Sequence, residues 1–330
     1  MESLSADCLL RGGAVEYGMA ARVHRSDDDH LFLVGGSNEV LRLYDSDGFD
    51  ASVDVPAWRR RLAARDAFFR RLGIPWCQLL APEKLSVYGD AVLRRLLGPG
   101  AVAPGQRLLD RVAHPALVYP ADYLRLQRDK GYVVYPRTDS HWTALGALCA
   151  FQWIAPALGL HLDYAPFLEL QPRRLCYHGD LWGDGHDGVP EDMFDRRVVP
   201  DSVARIHANP IVMLKERLGL ENEMGLHIGS HVVYRNSAAQ RPERVVLFGS
   251  SFSEYRADCS LLTFLAALFF REVHFVWSSA LDLGFIERLA PDLALIEMPE
   301  RFITACPDDA FDVEAYGAQA AQAWMAAHPG

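Results

Sequence analysis

Arg244-Val245-Val246-Leu247-Phe248-Gly249-Ser250-Ser251-Phe252-Ser253 is the stretch on which the reading of this chain turns. The four apolar residues after Arg244 form an unbroken run, the pattern of a strand buried on both faces of a parallel sheet. Gly249 and the serines then predict a tight strand-to-helix turn at the carboxyl end of that strand, the edge where open α/β sheets bind ligands. A serine on such a turn projects its hydroxyl outward. Its own N–H, with neighbours at the helix N-terminus, can face a developing oxyanion, and a small Gly249 lets a substrate approach. The same residues also suit a plain turn with a capping serine, so the rest of the chain has to decide.

On the C-terminal side, Leu261 to Phe270 reads as a buried helix, and Glu272 to Trp277 and Leu293 to Met298 as strands. On the N-terminal side, Leu31 to Val34 suits a strand ended by Gly35-Gly36. Trp58, Leu62, Phe69 and Leu72 share one face of a helix that Gly73 stops; Arg59, Arg60, Arg61, Arg65 and Arg70 read as its solvated face. Trp76 to Ala81 and Gly131 to Pro136 read as strands, and Trp142 to Ile154 as a buried helix closed by Pro156. Apolar strands alternating with helices predict an α/β protein, a mainly parallel sheet covered on both faces. Residues 157–240 differ: they are rich in Gly, Asp, His, Pro and Arg, and only Ile211 to Leu214 and Val232 to Tyr234 look regular. They read as a long insertion, an excursion from the sheet within a single domain over 1–330. Ala318 to His328, after Gly317, predicts a terminal helix.

Composition narrows the classes without choosing among them. The 330 residues carry 33 Lys and Arg against 43 Asp and Glu, a net charge of −10, and half are apolar. Disordered, collagen-like and coiled-coil chains are excluded, and the acidic balance argues against a nucleic-acid partner. Met1 to Gly13 lacks the basic start and apolar run of a secretory signal. No segment reaches the ~18 apolar residues of a membrane span. The expected compartment is the cytoplasm, or the periplasm where an export signal has been removed. Cysteines 8, 77, 149, 176, 259 and 306 show no CxxC spacing and read as small buried hydrophobes with free thiols. No GxGxxG follows an apolar strand run and no GxxxxGK[ST] occurs, so no bound dinucleotide or ATP is expected.

A second feature, Thr138-Asp139-Ser140-His141-Trp142, follows the run 131–136. A serine hydroxyl needs a base within hydrogen-bond reach. Histidine suits because its pKa lies near neutrality, and a carboxylate must fix its tautomer and stabilise the imidazolium. Asp139 as a helix N-cap and His141 as a satisfied core residue is the alternative. Taken together, Ser251, His141 and Asp139 complete a Ser/His/Asp set, each at the carboxyl end of an expected strand.

At these residues the chain resembles the alginate O-acetyltransferase family, whose catalytic domains are SGNH-hydrolase-like. Thr138 to Ala147 matches that family's T-D-[ST]-H-W-[TN]-x-x-G-A segment, and Gly249 to Ser253 its later G-[DTS]-S-F-S segment. The order is distinctive: the Asp/His pair precedes the serine, whereas ordinary SGNH esterases have the serine first. Weaker matches extend over most of the chain. His30-Leu31-Phe32-Leu33 with Asn38 resembles W-L-F-L, with His30 in place of Trp. Ala81 to Lys84 with Tyr88 resembles P-x-K-x-x-x-Y, Gly179-Asp180-Leu181 a G-D-L segment, and Pro291 to Ile296 with Glu300-Arg301 a P-D-x-V-I…E-R ending.

The resemblance implies a three-layer α/β/α fold and an O-acetyltransferase. Ser251 would carry a transient acetyl group, His141 would act as base and then acid, and Asp139 would orient it. The acceptor would be a carbohydrate hydroxyl, and the donor acetyl-CoA or an acetyl group supplied by a membrane acyltransferase partner. Ser250 stands where relatives often have Asp, and 330 residues leave no room for the carbohydrate-binding domain some relatives add. An acetylesterase with the same triad, and a non-catalytic carbohydrate-binding assembly component, remain open. Further candidates follow more loosely. Ser250, Gly179 and Asp180 could complete an oxyanion hole or bind sugar hydroxyls. Trp142, Trp182 and Tyr255 are candidate sugar-stacking surfaces, Arg256 a contact for an anionic acceptor, and Lys84 a structural ion-pair partner. Tyr177 to Asp187 clusters His and Asp but lacks a known zinc pattern; it reads as a Gly-rich loop lining the site, with no metal.

Overall fold

A computed structural model describes residues 22–36, 38–183, 191–195, 199–256 and 261–328. Met1 to Gly13, Cys8, Cys259 and the Asp184–Asp187 end of the His/Asp cluster lie outside them. β1 (Val23–Arg25) and β2 (Leu31–Leu33) pair as an antiparallel ribbon. The apolar runs then supply β3 (Trp76–Ala81) and the short β4 (Leu117–Val118). β5 (Arg173–Tyr177) and β6 (Glu191–Asp195) form a second ribbon. β7 (Val203–Ala208), β8 (His231–Asn236), β9 (Arg241–Gly249), β10 (Phe270–Trp277) and β11 (Leu293–Pro299) complete the set.

Among the described residues seven strands make the main sheet, in the order β4-β3-β11-β9-β10-β8-β7. Its first five are parallel; β8 runs antiparallel to β10, and β7 antiparallel to β8. Alternate side chains point to opposite faces, and the two faces bury separate cores. Val245 and Leu247 of β9 join Leu79 and Phe275 against the helices Ala144–Ile154 and Leu262–Phe269. Val246 and Phe248 join Leu80 and Ile296 against Val55–Leu72 and Leu283–Leu289. This is the expected three-layer α/β/α fold with a mainly parallel sheet.

Several local expectations change. Residues 131–136 are not a strand but irregular chain. Val133 is 55% exposed and pairs with no strand; its carbonyl instead accepts from the Thr143 hydroxyl, the N-cap of Ala144–Ile154. The stretch 157–240 is only partly an excursion, because β7 and β8 extend the main sheet itself. Arg65 does not belong to the solvated face of its helix. It is buried, with its guanidinium bound to Asp309 at 2.6 and 2.8 Å, to the Ser279 carbonyl and to Gln78. The terminal helix starts earlier than Gly317, at Val313, capped by Asp312. Cys77 and Cys149 are buried as expected, whereas Cys176 is exposed. Among the described residues no helix is long and apolar enough to cross a membrane.

Candidate active site

β9 delivers Ser251 to the carboxyl edge of the sheet. The chain there does not enter a helix directly: Ser251–Ser253 form a turn, and among the described residues the next helix begins at Leu262. The cause is a buried carboxylate on the neighbouring strand. Glu297 of β11 accepts from the Ser250 N–H (2.8 Å), the Ser250 hydroxyl (2.9 Å) and the Ser253 hydroxyl (2.8 Å). The turn then closes through Ser253 N–H and Glu254 N–H onto the Ser250 carbonyl at 3.0 and 3.1 Å. Gly249 serves this clamp. A Cβ there would stand 2.5 Å from Ser253 Oγ and 3.2 Å from Glu297 Oε2, so a side chain would force the turn off its anchor. Burial pushes the Glu297 carboxyl up, partly offset by the hydrogen bonds it accepts.

Asp139 and His141 lie on the irregular loop between the helices Ala121–Asp129 and Ala144–Ile154. Lys84, buried just past β3, pins that loop by donating to the carbonyls of Pro136, Arg137 and Asp139 at 3.0, 2.9 and 2.6 Å. It therefore makes a carbonyl clamp rather than the expected ion pair, and burial draws its pKa down to about 8. Glu191 of β6 accepts from the N–H groups of Arg137 (2.6 Å) and Thr138 (2.9 Å) and from the Thr138 hydroxyl. Asp180 receives the Ser140 N–H and hydroxyl, each at 2.7 Å. The Gly179 N–H donates to Thr138 Oγ1 at 3.0 Å, and a Cβ on Gly179 would lie 2.4 Å from the Thr138 carbonyl oxygen.

These supports bring the three residues together. His141 Nε2 is 2.7 Å from Ser251 Oγ, and His141 Nδ1 is 2.8 Å from Asp139 Oδ1. The same Asp139 oxygen accepts the His141 N–H at 2.7 Å, and Asp139 Oδ2 accepts from the Tyr177 hydroxyl. Asp139 is buried, while His141 keeps 21% of its side chain exposed. Burial opposes the Asp139 charge, but His141 and the hydrogen bonds from His141 and Tyr177 outweigh it, holding the carboxyl well below the usual range. Burial likewise pulls His141 down, yet the Asp139 charge and hydrogen bond, with Asp180 behind, bring its net pKa above the ordinary 6.5. The imidazole is thus oriented with Nδ1–H toward the carboxylate and Nε2 toward the serine, an arrangement that can accept a proton from Ser251.

The looser candidates find other work. The Ser250 N–H is taken by Glu297 and the Gly179 N–H by Thr138, so neither is available to an oxyanion, and Asp180 is an acceptor engaged by Ser140. The Ser251 N–H, by contrast, has no hydrogen-bond partner among the described residues. Trp142 is core: it is buried and donates Nε1–H to the Phe252 carbonyl at 2.9 Å. Tyr255 is buried against Phe275 and Trp277. Trp182 is the exposed aromatic of the three, packed on His178 with ring centroids 4.2 Å apart. Arg256 turns to Glu254 and Asn222. His30 stacks on Tyr88 at 4.9 Å, filling an aromatic position. Asp139, His141 and Asp180 are close enough to share a metal ion, but the hydrogen bonds above already engage their carboxylate oxygens. The sequence does not single out Glu297 or Glu191, nor the Tyr177 hydroxyl within the loop expected to line the site. Glu297 alone left a signal, a lone acid inside the apolar run Leu293 to Met298.

No protein-family model matches the chain, and no curated protein matches it in sequence. Solved structures do share its fold. The O-acetyltransferase domain of Pseudomonas putida AlgJ superposes with a TM-score of 0.51 at 20% identity, over 91% of this chain and 99% of that one. PatB1 of Bacillus cereus, solved with a sulfonyl adduct, gives 0.52 at 14% identity, over 86% and 97%. A DHHW family protein from Eubacterium siraeum gives 0.52 at 12% identity, over 75% and 85%. At these identities the likeness establishes the architecture.

Proposed function

We propose that this chain is a serine-dependent O-acetyltransferase that moves an acetyl group, through an acyl-serine, to a hydroxyl of a carbohydrate. The observation that carries the reading is the continuous hydrogen-bonded path from buried Asp139 through His141 to Ser251, 2.8 and then 2.7 Å. The motif order, Asp/His before Ser, and the shared fold with a domain named as an O-acetyltransferase support it. Ser251 Oγ attacks the acetyl carbonyl and passes its proton to His141 Nε2. The Ser251 N–H, without a partner among the described residues, would donate to the oxyanion of the tetrahedral intermediate. His141 returns the proton to the leaving alcohol or thiol, which departs and leaves acetyl-Ser251. The sugar hydroxyl then gives its proton to His141 and attacks the ester; Ser251 leaves and recovers the proton. Asp139 stays ionised throughout, balancing the imidazolium. The donor is an acetyl ester or thioester such as acetyl-CoA, or an acetyl group handed over by a membrane acyltransferase partner.

Turnover of a chromogenic acetyl ester with and without a glycan acceptor tests this reading. The expected outcome is acetylated glycan formed at the expense of free acetate. Release of acetate alone, at a rate no glycan changes, would make the chain an esterase. No turnover and no labelling of Ser251 by a fluorophosphonate would make it a non-catalytic binding component.

A further inference from the structure

On the face of the sheet opposite the Ala144–Ile154 helix, a cleft of about 580 Å³ opens where β7, β8 and β10 meet the start of the helix Val313–Ala327. Its lining shares no residue with the triad and includes His207, His231 and His274, one from each strand. Strand register puts them there. His207 and His274 flank Val233 from either side, and His231, two residues before Val233, projects to the same face.

We propose that His207, His231 and His274 form a site for a divalent transition-metal ion of the zinc class, with Glu272 orienting His274 and the cleft supplying an open fourth position. His231 Nε2 and His274 Nδ1 lie 3.3 Å apart. Two nitrogens held ~2.0–2.1 Å from one tetrahedral ion are separated by about 3.3 Å, so the pair already has the edge of a zinc polyhedron. Ring spacing agrees: imidazoles sharing such an ion have centres roughly 5 Å apart, and the centroids here are 5.1 Å (His207–His231) and 5.5 Å (His231–His274). His207 is exposed and its ring nitrogens do not lie within 4.8 Å of both partners, so ion binding would turn its side chain toward the His231–His274 pair.

The partner of His274 is also that of a metal ligand. Its other nitrogen, Nε2, is 3.2 Å from Glu272 Oε1, and Glu272 is itself fixed by Arg235 at 2.8 Å and Arg244 at 2.5 Å. A carboxylate on the distal N–H fixes the tautomer that leaves Nδ1 as a lone-pair donor. An all-imidazole set suits zinc, copper or nickel rather than calcium or magnesium.

Titration of the full chain with zinc chloride by calorimetry, and with cobalt(II) by visible absorption, tests the site without reference to acyl transfer. One zinc per chain is expected, and the cobalt form should show the bands of four-coordinate cobalt. Exposed His207→Ala and buried His231→Gln should each weaken binding by about 100-fold or more, and Glu272→Gln by about 10–100-fold. His141→Ala should bind as the wild type does, which separates this site from the Asp139–His141–Asp180 group. Failure of the wild type to take up stoichiometric zinc overturns the proposal. So does binding that survives His207→Ala, or binding that is lost in His141→Ala.

Discussion

The two segments that meet in the triad are built differently. The Ser250–Ser253 turn is an extension of the sheet: β9 and β11 run in register, and one carboxylate, Glu297, reaches across to hold it. The Thr138–His141 loop has no strand beneath it. It hangs from Lys84, from Glu191, and from Tyr177 and Asp180 at the end of β5, three other segments of the chain. Ser251 is therefore placed by backbone pairing, and His141 by a polar clamp. The sheet gives the serine a position that tolerates local damage, whereas the clamp concentrates its risk in buried groups whose loss leaves others unpaired.

The comparison can be attacked from the base side first. Asp139→Asn keeps the shape of the loop but favours the wrong imidazole tautomer, and kcat should fall by about 10³–10⁴-fold with little change in melting temperature. A drop below tenfold would mean that His141 is oriented by something else. Lys84→Met strips three loop carbonyls of their buried donor. It should cost roughly 3 kcal/mol in urea unfolding and lower kcat by roughly 100-fold. Glu297→Gln attacks the nucleophile side. One amide oxygen cannot replace two carboxylate oxygens, but β9 remains paired on both sides, so a loss of about 2 kcal/mol and roughly tenfold in kcat is expected. A larger kcat loss for Glu297→Gln than for Lys84→Met would invert the comparison.

A smaller effect sharpens the electrostatics. In the proposed reaction His141 must be neutral to accept the serine proton, and Asp139 holds its pKa above 6.5. A raised pKa means that more of the base is protonated at a given pH. The acid limb of kcat/KM should therefore have its midpoint above 6.5, and residual activity in Asp139→Asn should show that limb at lower pH. A wild-type midpoint at or below the ordinary histidine value would contradict the arrangement.

The same contrast explains what could be read from the sequence. β3, β9, β10 and β11 announce themselves because each is an apolar run, and the Ser251 turn follows one of them. The Asp139–His141 pair was legible as a motif, but its setting was not. Val133, Val134 and Tyr135 have strand-like side chains, yet the segment never finds a partner strand, because the Lys84 and Glu191 clamps hold the loop that follows it in irregular backbone. β7 leaves no such signal: Val203–Ala208 is an edge strand with mostly exposed residues, so no hydrophobic pattern marks it. Arg65 looked like its surface neighbours because its partner, Asp309, lies 244 positions away. Polar contacts between distant segments leave no local periodicity, and they assemble most of this site's support.

The central claim, that Ser251 carries the acyl group, is tested most directly by intact mass after brief exposure to an activated acetyl ester. The wild type should gain a single acetyl group that disappears on adding a carbohydrate acceptor, and Ser251→Ala should gain none. An adduct that forms equally on Ser251→Ala would contradict the account.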